Sequence, residues 1–159
     1  MSDAVFDPST APPQGSDPAD VRARAIAEYM LSKEGTGPHW GIEIEVANVG
    51  YCRLGMRLTP TMLNGLNIAH GAMVFAIADT AFAYACNARN QASVAFQTSM
   101  TFIAAGQASE RLIAEARERH QGSRTGIYDM NVYGEDGRMI AAFTGTSRTL
   151  GHPTMPEGT

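Results

Sequence analysis

Asn64–Gly65–Leu66–Asn67–Ile68–Ala69–His70–Gly71–Ala72 runs directly into Met73–Val74–Phe75–Ala76–Ile77–Ala78–Asp79–Thr80–Ala81–Phe82–Ala83–Tyr84–Ala85–Cys86–Asn87. A polar turn containing glycine opens a long apolar helix. From Met73 to Cys86 only Asp79 and Thr80 interrupt apolar and small residues. A helix with no polar face is buried by its neighbours. A membrane span needs about 20 apolar residues, and this run is shorter and carries an acid. The stretch therefore predicts a central helix wrapped by other elements.

The chain around it supplies strands. Ile42, Ile44 and Val46 alternate with Glu43, Glu45 and Ala47, a half-buried strand pattern. Asn48–Val49–Gly50–Tyr51 reads as a turn. Cys52, Leu54, Met56 and Leu58 then alternate until Thr59–Pro60. After the helix, four segments read as strands: Ser93–Ala104, Arg111–His120, Gly126–Tyr133 and Met139–Leu150. Glu135–Asp136–Gly137 is a hairpin signal. Strands joined by short turns form an antiparallel sheet. A sheet curling around one buried helix gives the α+β class. Asp17 and Pro18 start an additional helix running to about Lys33, ended by Glu34–Gly35–Thr36–Gly37–Pro38. The predicted organisation is a disordered leader over 1–17, a helix over 18–34, the main domain over 39–150 and a flexible tail over 151–159.

Composition narrows the function classes. With 44% hydrophobic and 18% charged residues in 159, the chain carries enough apolar surface for one globular core. A net charge of -4 argues against nucleic acid as the main partner. Cys52 and Cys86 stand far apart without a CxxC, which predicts reduced thiols and a cytoplasmic setting. The first residues, Met1–Ser2–Asp3–Ala4, show no secretory signal, and no membrane partner is expected. His39, His70, His120 and His152 lack metal-ligand spacing, so no metal site is expected. Gly122–Ser123–Arg124–Thr125–Gly126 has the wrong spacing for a GxSxG nucleophile elbow.

Asp79 is the chemical question. A carboxylate in an apolar helix must be paired, hydrogen-bonded or placed at a cleft. A structural acid fastening a neighbouring loop is one reading; a catalytic acid is the other. The same stretch offers a partner for the second. At His70–Gly71–Ala72 the helix start presents free N–H groups at its positive end, able to stabilise an oxyanion. Gly71 and Asp79 are eight positions apart, about 12 Å along one helix. Both must approach within roughly 3–3.5 Å of one reacting centre to share a carbonyl. If they do share one, each must come from a different subunit, and a two-fold dimer makes two composite sites.

The segments Met62–Leu63–Asn64–Gly65, His70–Gly71, Ala78–Asp79 through Cys86–Asn87 and Arg119–His120–Gln121–Gly122–Ser123–Arg124–Thr125–Gly126–Ile127–Tyr128–Asp129 resemble the PaaI-type acyl-CoA thioesterases of the hot-dog fold. The likeness spans about residues 40–150. It implies a curved antiparallel sheet around one long helix, and dimers commonly paired into tetramers. It implies hydrolysis of acyl-CoA thioesters, of the phenylacetyl or hydroxyphenylacetyl type, with coenzyme A entering only as part of the substrate and no cofactor. Asp79 matches the catalytic carboxylate, acting as general base or nucleophile. Gly71 matches the oxyanion N–H, Asn64 a polar residue that places water or thioester, and His70 the histidine that shapes the loop. Substrate contacts are expected at Arg124, Ala72 and Thr80; Arg119, Arg148 and Arg89 are further candidates for the phosphates. Met62, Leu63, Phe75 and Phe82 are expected to line the acyl end. Departures are Ala72, where a second glycine is usual, and Ala83 and Ala95, where some relatives carry Ser or Thr, with Ser93 and Ser99 nearby. A non-catalytic acyl-CoA-binding module is the alternative; a dehydratase of the same fold would want a His–acid pair that is not seen.

Overall fold

The computed structural model describes residues 10–158. Its elements are α1 (Pro18–Lys33), β1 (Glu43–Asn48), β2 (Tyr51–Arg57), a 3-10 turn (Pro60–Met62), α2 (Gly71–Asn87), β3 (Ser93–Phe102), β4 (Arg111–Gln121), β5 (Thr125–Tyr133) and β6 (Met139–Thr149). One six-stranded sheet runs in the order β1-β2-β4-β5-β6-β3, with every pairing antiparallel. Its inner face packs on α2, which touches all six strands.

Alternation explains the core. Cys52, Leu54 and Met56 on β2, Leu112, Ala114 and Ala116 on β4, and Tyr128, Met130 and Val132 on β5 are all fully buried. They face Ile77, Ala78, Ala81 and Phe82 of α2, which are equally closed off. The small residues of β4 let the helix approach the sheet. At Gly145 of β6 a β-carbon would lie 2.8 Å from Phe82 Cε1, so glycine is required where the ring meets the strand. The turn Gly134–Arg138 closes β5 onto β6, with Gly137 at φ +82°.

Several expectations are corrected. Short turns link β1–β2, β4–β5 and β5–β6, but β3 does not pair with β4. The α2 crossover carries the chain across the sheet, so β3 lands on the far edge beside β6. On β1 a bulge between Ile44 and Val46 breaks the alternation, leaving Ile44 and Val46 half-buried and Ala47 buried. On β4, Glu115 is buried, accepts a hydrogen bond from the Tyr51 hydroxyl and pairs with the Arg117 guanidinium at 3.4 Å. Nor is α2 covered all round. Ala72 and Phe75 are exposed and Ala76, Asp79, Thr80 and Ala83 half-buried, a stripe at i, i+3, i+4, i+7, i+8 and i+11.

Parts of both terminal segments read as loose are tied down. Residues 1–9 of the expected leader lie outside the described residues. Within 10–17, Gln14 bonds the backbone of Ala47 in both directions, and Asn48 reaches the Pro13 carbonyl and the Gly15 N–H. Asp17 caps α1 by accepting from the N–H groups of Ala19 and Asp20. In the tail, Met155 exchanges two bonds with the Asn90 side chain, and the Thr154 hydroxyl donates to Asn87 Oδ1 at 2.6 Å.

Candidate active site

The loop before α2 is built around Asn64. Its Oδ1 accepts from the N–H of Leu66 at 2.9 Å and of Ile68 at 3.4 Å, an Asx turn that rounds the loop. Ala69 N–H donates to the Gly106 carbonyl and His70 N–H to the Met62 carbonyl, which fixes where the helix begins. His70 is the N-cap: its Nδ1 accepts from Ala72 N–H at 3.0 Å. That bond requires Nδ1 to be unprotonated and leaves the proton on Nε2. The Met73 and Val74 N–H groups turn back to the His70 carbonyl. Among the described residues, Gly71 N–H alone of these four has no acceptor.

Gly71 also borders an open cleft of about 340 Å³ lined by Ile68, Val74, Phe102, Ile103 and Ala104. A β-carbon at Gly71 would lie 3.2 Å from Phe102 Cζ. The space above the glycine is thus shared between any ligand and an aromatic ring of the same chain. Phe102 was not singled out from the sequence; only the end of β3 folding back over the helix start brings it there.

Asp79 lies two turns along α2 on the uncovered stripe. Among the described residues its carboxylate has no hydrogen bond or ion pair, and burial pushes its pKa above the ordinary carboxylate value. The structural reading of this acid, a loop fastener, therefore lacks a loop to fasten among the described residues. Beside it the Thr80 hydroxyl donates to the Ala76 carbonyl at 2.8 Å, leaving its lone pairs as acceptors.

Arg124 sits at the other end of the helix. Its carbonyl accepts from Thr149 N–H, Thr149 pairs with Ser93, and Ser93 N–H donates to the Asn87 side chain at the α2 terminus. Among the candidate arginines, Arg89 is bound to Glu118 and Arg119 to Asp129. Arg148 stacks on the Phe96 ring at 5.6 Å. The Arg124 side chain has no bond among the described residues and is exposed. The chain thus gathers Asn64, His70, Gly71 and Ala72 at one end, Asp79 and Thr80 in the middle, and Arg124 at the far end. It does not bring them into one cluster.

Of the residues expected at the acyl end, Met62 and Phe82 are corrected to core: they are 5% and 1% exposed. Phe82 packs on Tyr128 with ring centroids 5.3 Å apart. Phe75 is 37% exposed and packs edge-on against Phe143. Ala95 pairs with the buried Ser147 and so faces inward, whereas Ser99 pairs with the exposed Thr144 and faces outward.

A long helix cradled by a six-stranded antiparallel sheet is the hot-dog fold, and the family model described as Thioesterase superfamily matches residues 66–141. The acyl-coenzyme A thioesterase PaaI of Escherichia coli K12 is 38% identical over 125 residues, 79% of this chain and 89% of that protein. A solved structure of the E. coli PaaI protein from the phenylacetic acid degradation operon superposes with a TM-score of 0.82 at 36% identity, over 84% of this chain and 96% of that one. A mutant of the phenylacetic acid degradation protein PaaI from Thermus thermophilus gives a TM-score of 0.71 at 30% identity, over 74% of this chain and 100% of that one. The chain belongs to the PaaI-type acyl-CoA thioesterase family.

Proposed function

We propose that this protein hydrolyses aryl-acetyl-CoA thioesters, of the phenylacetyl and hydroxyphenylacetyl type, to the free acid and coenzyme A at sites shared between two protomers. The observation that carries the reading is the pairing of two unsatisfied groups on one helix. Among the described residues Asp79 has no hydrogen-bond or ion-pair partner, and Gly71 N–H has no acceptor. Eight residues of α2 separate them by about 12 Å, too far for one carbonyl. The uncovered stripe of α2 beside the edge strand β3 supports a two-fold partner whose helix runs antiparallel to this one. A second copy there sets the Gly71 N–H of one chain near Asp79 of the other. The aryl-acetyl choice rests on the E. coli relative, named an acyl-coenzyme A thioesterase and placed in a phenylacetic acid degradation operon.

The chemistry asks for little more. A thioester carbonyl is electrophilic and its thiolate leaves readily, so the site needs an activated oxygen and an oxyanion donor. Asp79 takes the proton of a water, the hydroxide adds to the carbonyl carbon, and Gly71 N–H stabilises the oxyanion. The C–S bond then breaks and the thiolate leaves as CoA. No metal takes part. Direct attack by the carboxylate would pass through an anhydride and end at the same products. Arg124 grips the CoA phosphates, and dimers pair further into tetramers.

Thiol release from phenylacetyl-CoA, followed with a thiol reagent, tests this. Asp79→Asn should keep the fold and lower kcat by about a hundredfold or more. Binding of phenylacetyl-CoA without turnover by the wild type would identify a binding module instead. Unfolding of Asp79→Asn would return Asp79 to a structural role.

A further inference from the structure

We infer that Arg138 is a positioning residue for the oxyanion donor: its ion pair with Glu110 fixes the loop that sets where α2, and with it Gly71 N–H, begins. This rests on the hydrolytic reading above. A donor stabilises an oxyanion well only if it is held in place before the charge develops. A displacement of about 1 Å can cost a hundredfold in rate. Gly71 is the first residue of α2 and follows a loop, so its N–H is only as fixed as that loop.

Arg138 lies in the turn between β5 and β6, and Glu110 stands just before β4. Glu110 is buried, and a buried carboxylate needs a partner. The Arg138 guanidinium supplies it: Nη2 donates to Oε1 at 3.0 Å and to Oε2 at 3.2 Å. Its Nη1 donates to the Ala105 carbonyl at 2.8 Å. Glu110 Oε2 also accepts from Gln107 N–H at 2.7 Å. One ion pair thus holds the chain on both sides of Gly106. Gly134 makes room for it, because a β-carbon there would run into Glu110 Oε1.

Gly106 is where this loop meets the start of the helix. Its carbonyl accepts from Ala69 N–H at 2.9 Å, and the neighbouring Gln107 bridges to Ile68. A β-carbon at Gly106 would be 2.9 Å from Ala69 Cβ, so glycine is needed where the two segments touch. From the other direction His70 N–H donates to the Met62 carbonyl at 2.9 Å. One line of bonds therefore runs from Arg138 to Ala105, from Gly106 to Ala69, and along the backbone through His70 to Gly71. Ala104, Ala105 and Gly106 also line the cleft beside Gly71, together with Phe102. Arg138 acts on that wall through its backbone, at the Ala105 carbonyl. Without the guanidinium, Glu110 keeps a buried charge with no cation, and the peptides either side of Gly106 lose their common anchor.

Steady-state hydrolysis of phenylacetyl-CoA by Arg138→Met, which keeps the stem and removes the guanidinium, tests the assignment. The expected result is a kcat at least about tenfold below wild type with KM within about twofold, because a displaced donor weakens the transition state and not substrate binding. Arg138→Lys, which returns a cation to Glu110, recovers most of kcat. Glu135→Gln, in the same turn, keeps wild-type kcat. The decisive readout is coupling to Gly71. In a Gly71→Pro background, where the donor is already gone, adding Arg138→Met lowers the residual kcat by less than about twofold. An equal loss in both backgrounds overturns the inference, as does wild-type kcat in Arg138→Met or an Arg138→Lys as slow as Arg138→Met. If Arg138→Met fails to fold by circular dichroism, Arg138→Gln carries the same expectations. Loss of kcat in Asp79→Asn beside full kcat in Arg138→Met overturns it while leaving the hydrolytic reading intact. A wild type that turns over no acyl-CoA removes both.

Discussion

At the scale of the residue, the proposed role of Asp79 as base predicts the pH behaviour. Burial raises its pKa, and the proposed base must be ionised. The acid limb of kcat/KM reports the free enzyme's base, so activity falls as pH drops through a value above that of an ordinary aspartate. A limb at or below the ordinary aspartate value would mean another group is the base. The same shift bears on stability. The folded state holds the Asp79 proton more tightly than the unfolded chain does, so ionising it weakens folding as pH rises through the shifted pKa. Asp79→Asn is therefore no less stable than wild type at neutral pH. The acid itself was legible in the sequence, because one carboxylate in an apolar helix stands out. Its freedom from partners was not, since any of several loops could have supplied a donor. Phe102 was hidden for a related reason. Period-two alternation from Ser93 onward gives the wrong inner set once Phe96 bulges out.

The elements were read more easily than their arrangement. α1, α2 and all six strands follow from periodicity, caps and turns, with α2 ending at Asn87. Neither the crossing of β3 to the edge beside β6 nor the uncovered stripe of α2 could be read. A helix without a polar face looks the same whether one sheet or a second helix covers it. The turn between β4 and β5 shows what element placement adds. Glu118 and Asp129 occupy Arg89 and Arg119, leaving Arg124 at the helix end remote from Gly71. Charge-assisted bonds to phosphate are worth about 1.5–3 kcal/mol. Arg124→Ala should thus raise KM for phenylacetyl-CoA about tenfold with kcat retained. The matching N-acetylcysteamine thioester, which lacks the nucleotide phosphates, should show no change. An equal effect on both substrates would place Arg124 elsewhere.

At the scale of the whole molecule the proposed function makes the chain half of a reaction centre repeated twice. The strip of α2 running from Ala72 to Ala83 and the edge of β3, with Phe96 and Phe102 65% and 57% exposed, lie open on the side where Asp79 points. An apolar edge strand of this kind invites pairing. Under a two-fold operation each copy donates an acid to one site and an N–H to the other.

Subunit complementation tests this most directly. Gly71→Pro deletes the N–H at the first helical position, where proline is tolerated, and His70 already has the extended backbone that a following proline requires. Gly71→Pro and Asp79→Asn should each be nearly inactive alone. Unfolded together and refolded as a mixture, half the dimers are hybrids with one intact site of two. The account predicts recovery of about a quarter of wild-type activity. Refolded hybrids that stay as inactive as either parent would contradict it.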